Sequence, residues 1–446
     1  MRGIAIARVV AATAWAWGCA GAAFAQVSPV LVTVPGLNAL QLPTARAIDI
    51  LCPQLASRSL TSGEQQLFTS CSAMRASVSS STPAEVAFAV QATAAEEMHA
   101  QGRVATSAVG RNAIYGRLLA LRGGGRGFLL TGSGFDEGDR FGTAADALPD
   151  RARGGGAAGD DALAGRWGGF LNANYNTGDR DGTEREDGFE FNDYGLTGGL
   201  DYRFSDALAV GVALSWSQTD VDFSRDAGDV ESANWGLSAY ASYTIGDWYV
   251  DGHVGFSRLD YDTRRNIVVP ALGFNTAARG STEGDQWTAT VGAGYDLRLR
   301  NLTVTPYGRV DYLHLDVDGF TEREPSAGLG LDIGSRTTRS LQSAVGARLS
   351  TPLSTARGVF TPYAAVEWNH EFQNDSRSLV AKFTHDPFNT FFAIPTERPD
   401  RNFFTVSLGV ATVFAGGMSA FANLDSVVGL EDTESYAFTV GVRGEF

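Results

Sequence analysis

The amino-acid sequence predicts an all-β transmembrane barrel of twelve antiparallel strands, preceded by a small α-helical segment. Three observations carry this prediction. The final stretch alternates, with Tyr436, Phe438, Val440, Val442, Gly444 and Phe446 on one face of a strand and Ala437, Thr439, Gly441, Arg443 and Glu445 on the other. A period of two with aromatics on the apolar face suits a strand that meets lipid on one side and water on the other. The same alternation recurs throughout residues 166–446, and the second face is small or charged, so it cannot serve as a packed core. Lastly, the chain opens as an exported protein does. Arg2 and Arg8 precede a short apolar run, Val9 to Ala16, and small residues ending in Ala23-Phe24-Ala25. That is a secretory signal peptide over 1–25 with an A-x-A cleavage site, too short for a membrane span.

Residues 26–82 read as a short helical hairpin. Pro43 opens a first helix to about Ser57. Thr61-Ser62-Gly63-Glu64 has capping-box spacing and opens a second to about Ser77. Removing 1–25 removes Cys19 and leaves Cys52 and Cys71, an even count that suggests a disulfide formed in an oxidising compartment. Thr82-Pro83-Ala84-Glu85 is a stronger capping box, with Pro at the first helical position. From there the sequence is helix-forming over 83–122, until Gly123-Gly124-Gly125 stops it. Residues 123–165, rich in Gly, Ala and Asp, read as a linker.

The barrel then occupies 166–446. Its strands are expected near 167–176, 189–204, 207–223, 231–245, 247–264, 283–300, 302–318, 337–353, 358–373, 401–415, 417–429 and 434–446. Leu208, Val210, Val212, Leu214 and Trp216 form one outward face. Trp287, Ala289, Val291, Ala293, Tyr295 and Leu297 form another. Connectors alternate tight and long, with long ones at 177–188, 224–230, 265–282, 319–336 and 374–400. This is the short-turn, long-loop asymmetry of a transmembrane barrel, and Trp and Tyr recur at strand ends as interface girdles require. An even strand count leaves both ends of the sheet on one side.

The composition agrees. The formal net charge is −15, and Lys382 is the only lysine. An acidic chain without a basic stripe argues against nucleic-acid binding.

Trp167-Gly168-Gly169-Phe170, Gly198-Gly199-Leu200-Asp201-Tyr202-Arg203 and Pro306-Tyr307-Gly308-Arg309-Val310-Asp311-Tyr312, in that order and followed by a terminal aromatic strand, resemble the β-domain of autotransporters, the type V secretion family. The resemblance implies a bacterial outer-membrane location, with lipid and lipopolysaccharide around the barrel. It implies dependence on the Sec machinery and on the outer-membrane barrel assembly machinery, a monomeric barrel, and no cofactor. In that family the terminal strand resembles an assembly signal, here Tyr436, Phe438, Val440, Val442 and Phe446. The barrel translocates its own amino-terminal passenger and keeps an α-helix threading the lumen, here within 83–122. That helix offers Arg103, Arg111, Arg117 and Arg122, and inward-facing Asp201, Asp251, Asp296 and Glu367 are candidate partners. Opposite charges attract more strongly in a narrow, partly desolvated lumen than at an open surface, whereas exposed pairs contribute little. The chain departs from the family in one respect: only about 26–122 stands ahead of the linker, without the repeats of a β-helix stalk. The leading expectation is a barrel that exports or displays its own short amino-terminal segment. The alternative is a plugged structural or adhesin-like barrel that exports nothing.

Catalytic chemistry is not expected. Gly132-Ser133-Gly134 lacks the flanking pattern of a nucleophile elbow. His99 beside Glu96 and Glu97 reads as an ordinary helix-face histidine, since catalysis needs a positioned partner. Self-cleavage at an Asn-Asn junction is not expected either, because Asn112 is followed by Ala113. Asp179, Asp181, Glu184, Glu186 and Asp187 offer oxygen ligands suited to Ca²⁺, but their spacing does not match an EF-hand, and a solvated external loop is the plainer reading.

Overall fold

The structure is a computed structural model that describes residues 30–94, 118, 166–183, 185–373, 378–396, 398, 400–414 and 418–445. The expected signal peptide, the linker, Arg103, Arg111, Arg117, Arg122 and Phe446 lie outside them.

Twelve strands form the barrel: β1 Trp167–Arg180, β2 Phe189–Arg203, β3 Leu208–Phe223, β4 Gly228–Ile245, β5 Trp248–Val269, β6 Phe274–Tyr295, β7 Leu302–Val317, β8 Arg336–Ser350, β9 Gly358–Glu371, β10 Asn402–Phe414, β11 Ser419–Val428 and β12 Thr433–Glu445. Each pairs antiparallel with its chain neighbours. β1 also pairs with β12, from Gly168↔Glu445 to Arg180↔Thr433, so the sheet closes and leaves no edge. One rim carries tight turns, such as Gly246-Asp247 between β4 and β5. The other rim carries most of the long connections. Those after β7 and β9 hold four short strands, Phe320–Thr321, Leu331–Ile333, Ser378–Phe383 and Phe392–Pro395, joined in a separate antiparallel sheet.

The expected loop over 265–282 is corrected. β5 and β6 continue as a hairpin to Val269↔Phe274 and turn at Pro270–Leu272. The reason is a reversal of amphipathicity along the strand. From Trp248 to Phe256 the outward residues of β5 are apolar (Trp248, Val250, Val254), while inward-facing Tyr249, Asp251 and His253 are polar and buried. Beyond Phe256 the outward side becomes Arg258, Asp260, Asp262 and Arg264. The inward side becomes Leu259, Tyr261, Ile267 and Val269, all buried. On β7 the inward face likewise passes from Thr303, Thr305, Arg309 and Asp311 to Leu313, Leu315 and Val317. The lower part of the barrel is therefore greasy outside and wet inside. The upper part has the polarity of a water-soluble protein.

Stacked aromatics mark the edges of the greasy band. Phe256–Trp287 (centroids 4.8 Å) and Trp216–Trp235 (6.5 Å) lie on the long-loop side. Trp248–Tyr295 (4.9 Å) and Trp167–Tyr202 (5.1 Å) lie on the tight-turn side. Trp248 to Phe256 spans about 26 Å of strand, or about 20 Å of height at a tilt near 40°.

The apolar upper interior needs an occupant, and the amino-terminal helices fill it. α1 is Gln41–Leu55, α2 is Ser62–Ser77 and α3 is Pro83–Gln91. α1 starts two residues ahead of Pro43 because the Asn38 side chain accepts from the N–H groups of Leu40 and Gln41, while the Gln41 side chain accepts from the Asn38 N–H. Thr61–Glu64 and Thr82–Glu85 form complete capping boxes for α2 and α3. A disulfide joins Cys52 of α1 to Cys71 of α2. Closing a loop of that length restricts the unfolded chain by about 3 kcal/mol. α3 ends at Gln91, well short of Arg122; Thr93 and Ala94 close it with tight i→i−3 bonds to Val90 and Gln91. Helical conformation is described again at Leu118.

Candidate functional site

Two regions inside the cylinder have chemical character: a charged lower lumen and a capped outer mouth.

In the lower lumen, Asp201, Asp251, Asp296 and Glu367 are all buried. Asp201 accepts from the Tyr240 hydroxyl (3.1 Å) and Asp296 from the Thr305 hydroxyl (2.6 Å). Glu367 accepts from the Tyr307 hydroxyl (2.8 Å) and from both terminal nitrogens of Arg309 (3.1 and 3.2 Å), whose Nε reaches Asp311 at 2.7 Å. A wall arginine, Arg309, thus meets one of the acids that the sequence assigned to arginines of the 83–122 segment. Parity would have found it, because Tyr307, Arg309 and Asp311 alternate with outward Pro306, Gly308 and Val310. Leu118 is buried among Phe170, Ala209, Ala213 and Tyr240, all inward residues close to the tight-turn rim.

At the other rim, one hydrophobic core joins cap and barrel. Ile48, Leu51 and Met74 of the helices belong to the same cluster as Tyr261, Leu315 and Phe383 of the barrel and its loops. Arg265 of β5 is the polar centre of this seam. Its Nε and Nη2 bind both carboxylate oxygens of Glu322 (3.1 and 2.5 Å). Nη1 donates to the carbonyl of Ala92 just past α3, and Nη2 also donates to that of Leu329. Gln91 donates to Asp187 at 2.7 Å, and the Ser70 hydroxyl of α2 to the Ala327 carbonyl at 2.7 Å. Sequence reasoning missed this seam, because residues 57 positions apart along the chain carry no local signal of pairing.

The loop that seats α2 is organised by Glu324. Its carboxylate accepts from the Thr276 hydroxyl (2.7 Å) and from the N–H groups of Ser326, Ala327 and Leu329 (2.8, 2.8 and 3.2 Å). Burial alone would raise this carboxyl, but those hydrogen bonds outweigh it and hold the group below its ordinary value of 4.5. A depressed folded-state pKa stabilises at pH above the unfolded value and loses that contribution as pH falls through the folded one. Cap docking is therefore expected to weaken below about pH 4.5. Hydrogen exchange of 323–329 amides across pH 3–6 checks this, with Glu324→Gln expected to flatten the profile.

The acidic loop after β1 is engaged by protein groups. Glu186 pairs with Arg180 (3.4 Å), and Asp187 with Arg225. His253, His314, His370 and His385 lie on β5, β7, β9 and the loop after Phe383, and His385 packs on Gly63 at the start of α2. Among the described residues, no group of three or more His, Cys, Asp or Glu is placed to hold a metal ion.

A family model described as the autotransporter beta-domain matches residues 169–425. The chain is similar to Esterase EstA of Pseudomonas aeruginosa, 24% identical over 273 residues that cover 60% of this chain and 41% of that protein. It is also similar to Lipase 1 of Photorhabdus luminescens, 26% identical over 254 residues, 56% of this chain and 38% of that protein. The chain thus spans well under half the length of these curated relatives. Among solved structures, the translocator domain of autotransporter NalP from Neisseria meningitidis matches with a TM-score of 0.51 at 17% identity, over 64% of this chain and 90% of that domain. These likenesses agree with the fold class, the outer-membrane location and the barrel reading. They overturn one expectation, that the chain has no place among enzymes: relatives across more than half of it are named esterase and lipase. A missing nucleophile motif in this sequence says nothing of the company its barrel keeps among named esterases and lipases.

Proposed function

This chain belongs to the autotransporter β-domain family, and from that premise we propose that its barrel displays residues 31–94 on the outer side of the bacterial outer membrane. The supporting observation is the placement of two points on one chain. Ala94 is buried in the core at the long-loop rim, and Leu118 is buried inside the wall near the tight-turn rim. The 24 steps of chain from one to the other would rise about 36 Å if helical, enough to traverse the greasy band inside the barrel. Short turns belong to the periplasmic side of such barrels and long loops to the outside, so the cap is on the outside.

Export in this reading starts from a cleaved signal over 1–25 and the Sec machinery. Membrane insertion uses the barrel assembly machinery, with β12 as the signal it reads. The protein acts as a monomer, and lipopolysaccharide meets the outward polar belt above the upper girdle, where Arg258 pairs with Glu283 and His314 with Asp316. Arginines of the 83–122 segment are further partners in this reading for the inward acids Asp201, Asp251, Asp296 and Glu367.

An epitope inserted at Ser59, in the exposed turn between α1 and α2, tests the reading. External protease on intact cells is expected to remove it. Protection until the outer membrane is permeabilised would favour the rival, a plug held on the periplasmic side.

A further inference from the structure

We propose that residues 31–94 are a permanently docked lid on the barrel's outer mouth, completed by the barrel and retained by it, rather than cargo to be released. The proposal rests on the display reading above and adds the fate of the displayed segment.

The cap is too small to stand alone comfortably. A unit of this length buries a modest core and needs further support. The disulfide supplies part of it and the barrel supplies the remainder. Leu31, Leu67 and Met74 share one continuous core with Leu331, Phe383 and Ile394 of the loop sheet. Removing the lid would expose apolar surface on both sides, and the upper barrel interior would face water with Leu259, Tyr261 and Leu315.

The seam is also fitted at the level of the backbone. Gly328 has φ +68°, and a Cβ there would come within 2.5 Å of the backbone nitrogen of Leu67 in α2. The neighbouring Ala327 carbonyl takes the Ser70 hydroxyl. The loop and the helix approach this closely because position 328 carries no side chain. Arg265 finally ties the barrel wall to both parts at once, through Glu322 of the loop and the Ala92 carbonyl at the end of α3. A segment meant to leave the barrel has no need of a buried charge pair in the wall that reaches its last helix.

The test uses the full chain in cells. A protease site replaces Ser79–Ser81, in the turn between α2 and α3. The purified protein in detergent, cut to completion, gives the reference fragments. Intact cells are then treated from outside, washed, and assayed for the fragment carrying α1 and α2. The expected result is cleavage in intact cells with the fragment still bound after washing. Gly328→Leu and Phe383→Ala, both on the barrel side of the seam, are expected to speed its release at least tenfold. Heat-modifiable mobility in gels confirms that each variant barrel is folded. Cleavage followed by equally fast loss from the unsubstituted protein overturns the lid and leaves display intact. Cleavage only in permeabilised cells overturns display.

Discussion

Glu322→Ala will loosen the outer half of this protein by about 3–5 kcal/mol, the cost of leaving one member of a buried ion pair without its partner. Arg265 and Glu322 are each 2% exposed, so water cannot replace the lost carboxylate. Glu322 also accepts from the Leu331 N–H at 2.9 Å, so its loss orphans a second buried donor. The effect should appear as an early transition of the cap and loops, below the melting of the barrel, read by hydrogen exchange in 320–333 and α3. Glu322→Gln keeps the shape and one accepting oxygen but sets an NH2 donor against a donor of the seam, and should fall between. The double replacement Arg265→Met, Glu322→Leu is the informative control. Buried ion pairs replaced by apolar residues of similar volume are often neutral or stabilising, so it should recover most of the loss. An E322A protein as protected as its parent would mean that Arg265 is solvated and the seam is open.

The sequence made the barrel legible because alternation is a local signal. Leu208 to Trp216 and Trp287 to Tyr295 announce lipid-facing strands without reference to any partner. Thr61–Glu64 and Thr82–Glu85 announce helix starts for the same reason. What escaped was long-range or inverted. Residues 258–269 keep a period of two, but their apolar residues occupy the opposite parity from those at 248–256. A reading tuned to greasy-outside strands ended the strand at Arg264 and took 265–282 for a loop, although Arg265, Ile267 and Val269 continue the inward face. Arg265, a residue of the barrel wall, bonds to the Ala92 carbonyl 173 positions earlier in the chain, just past α3. The shared core needs both the helices and the strand ends, and neither segment alone reveals that it lacks one half. The non-enzyme expectation failed differently: it judged chemistry from patterns within one chain, when similarity to named esterases lay beyond such patterns.

The point where the barrel changes polarity sets the second large effect. Val254 faces outward within the greasy band, two residues below Phe256 at its upper edge, and is 57% exposed to what surrounds the barrel. Val254→Arg should cost about 1–3 kcal/mol, between the penalty for arginine at the bilayer midplane and the small one near the interface. Val268→Arg, on the same face of the same strand, is expected to cost close to nothing. Val268 lies ten residues above Arg258, or about 33 Å farther along the strand, where native Arg264 already points outward. Urea titration of the protein folded into liposomes, with mobility shift reporting the folded fraction, measures both. Because the two substitutions are chemically identical and share strand, face and starting residue, only the surrounding medium distinguishes them. Equal costs would mean that the outward surface meets one medium along its whole length, and the assignment of lipid below Phe256 and water above it would fail.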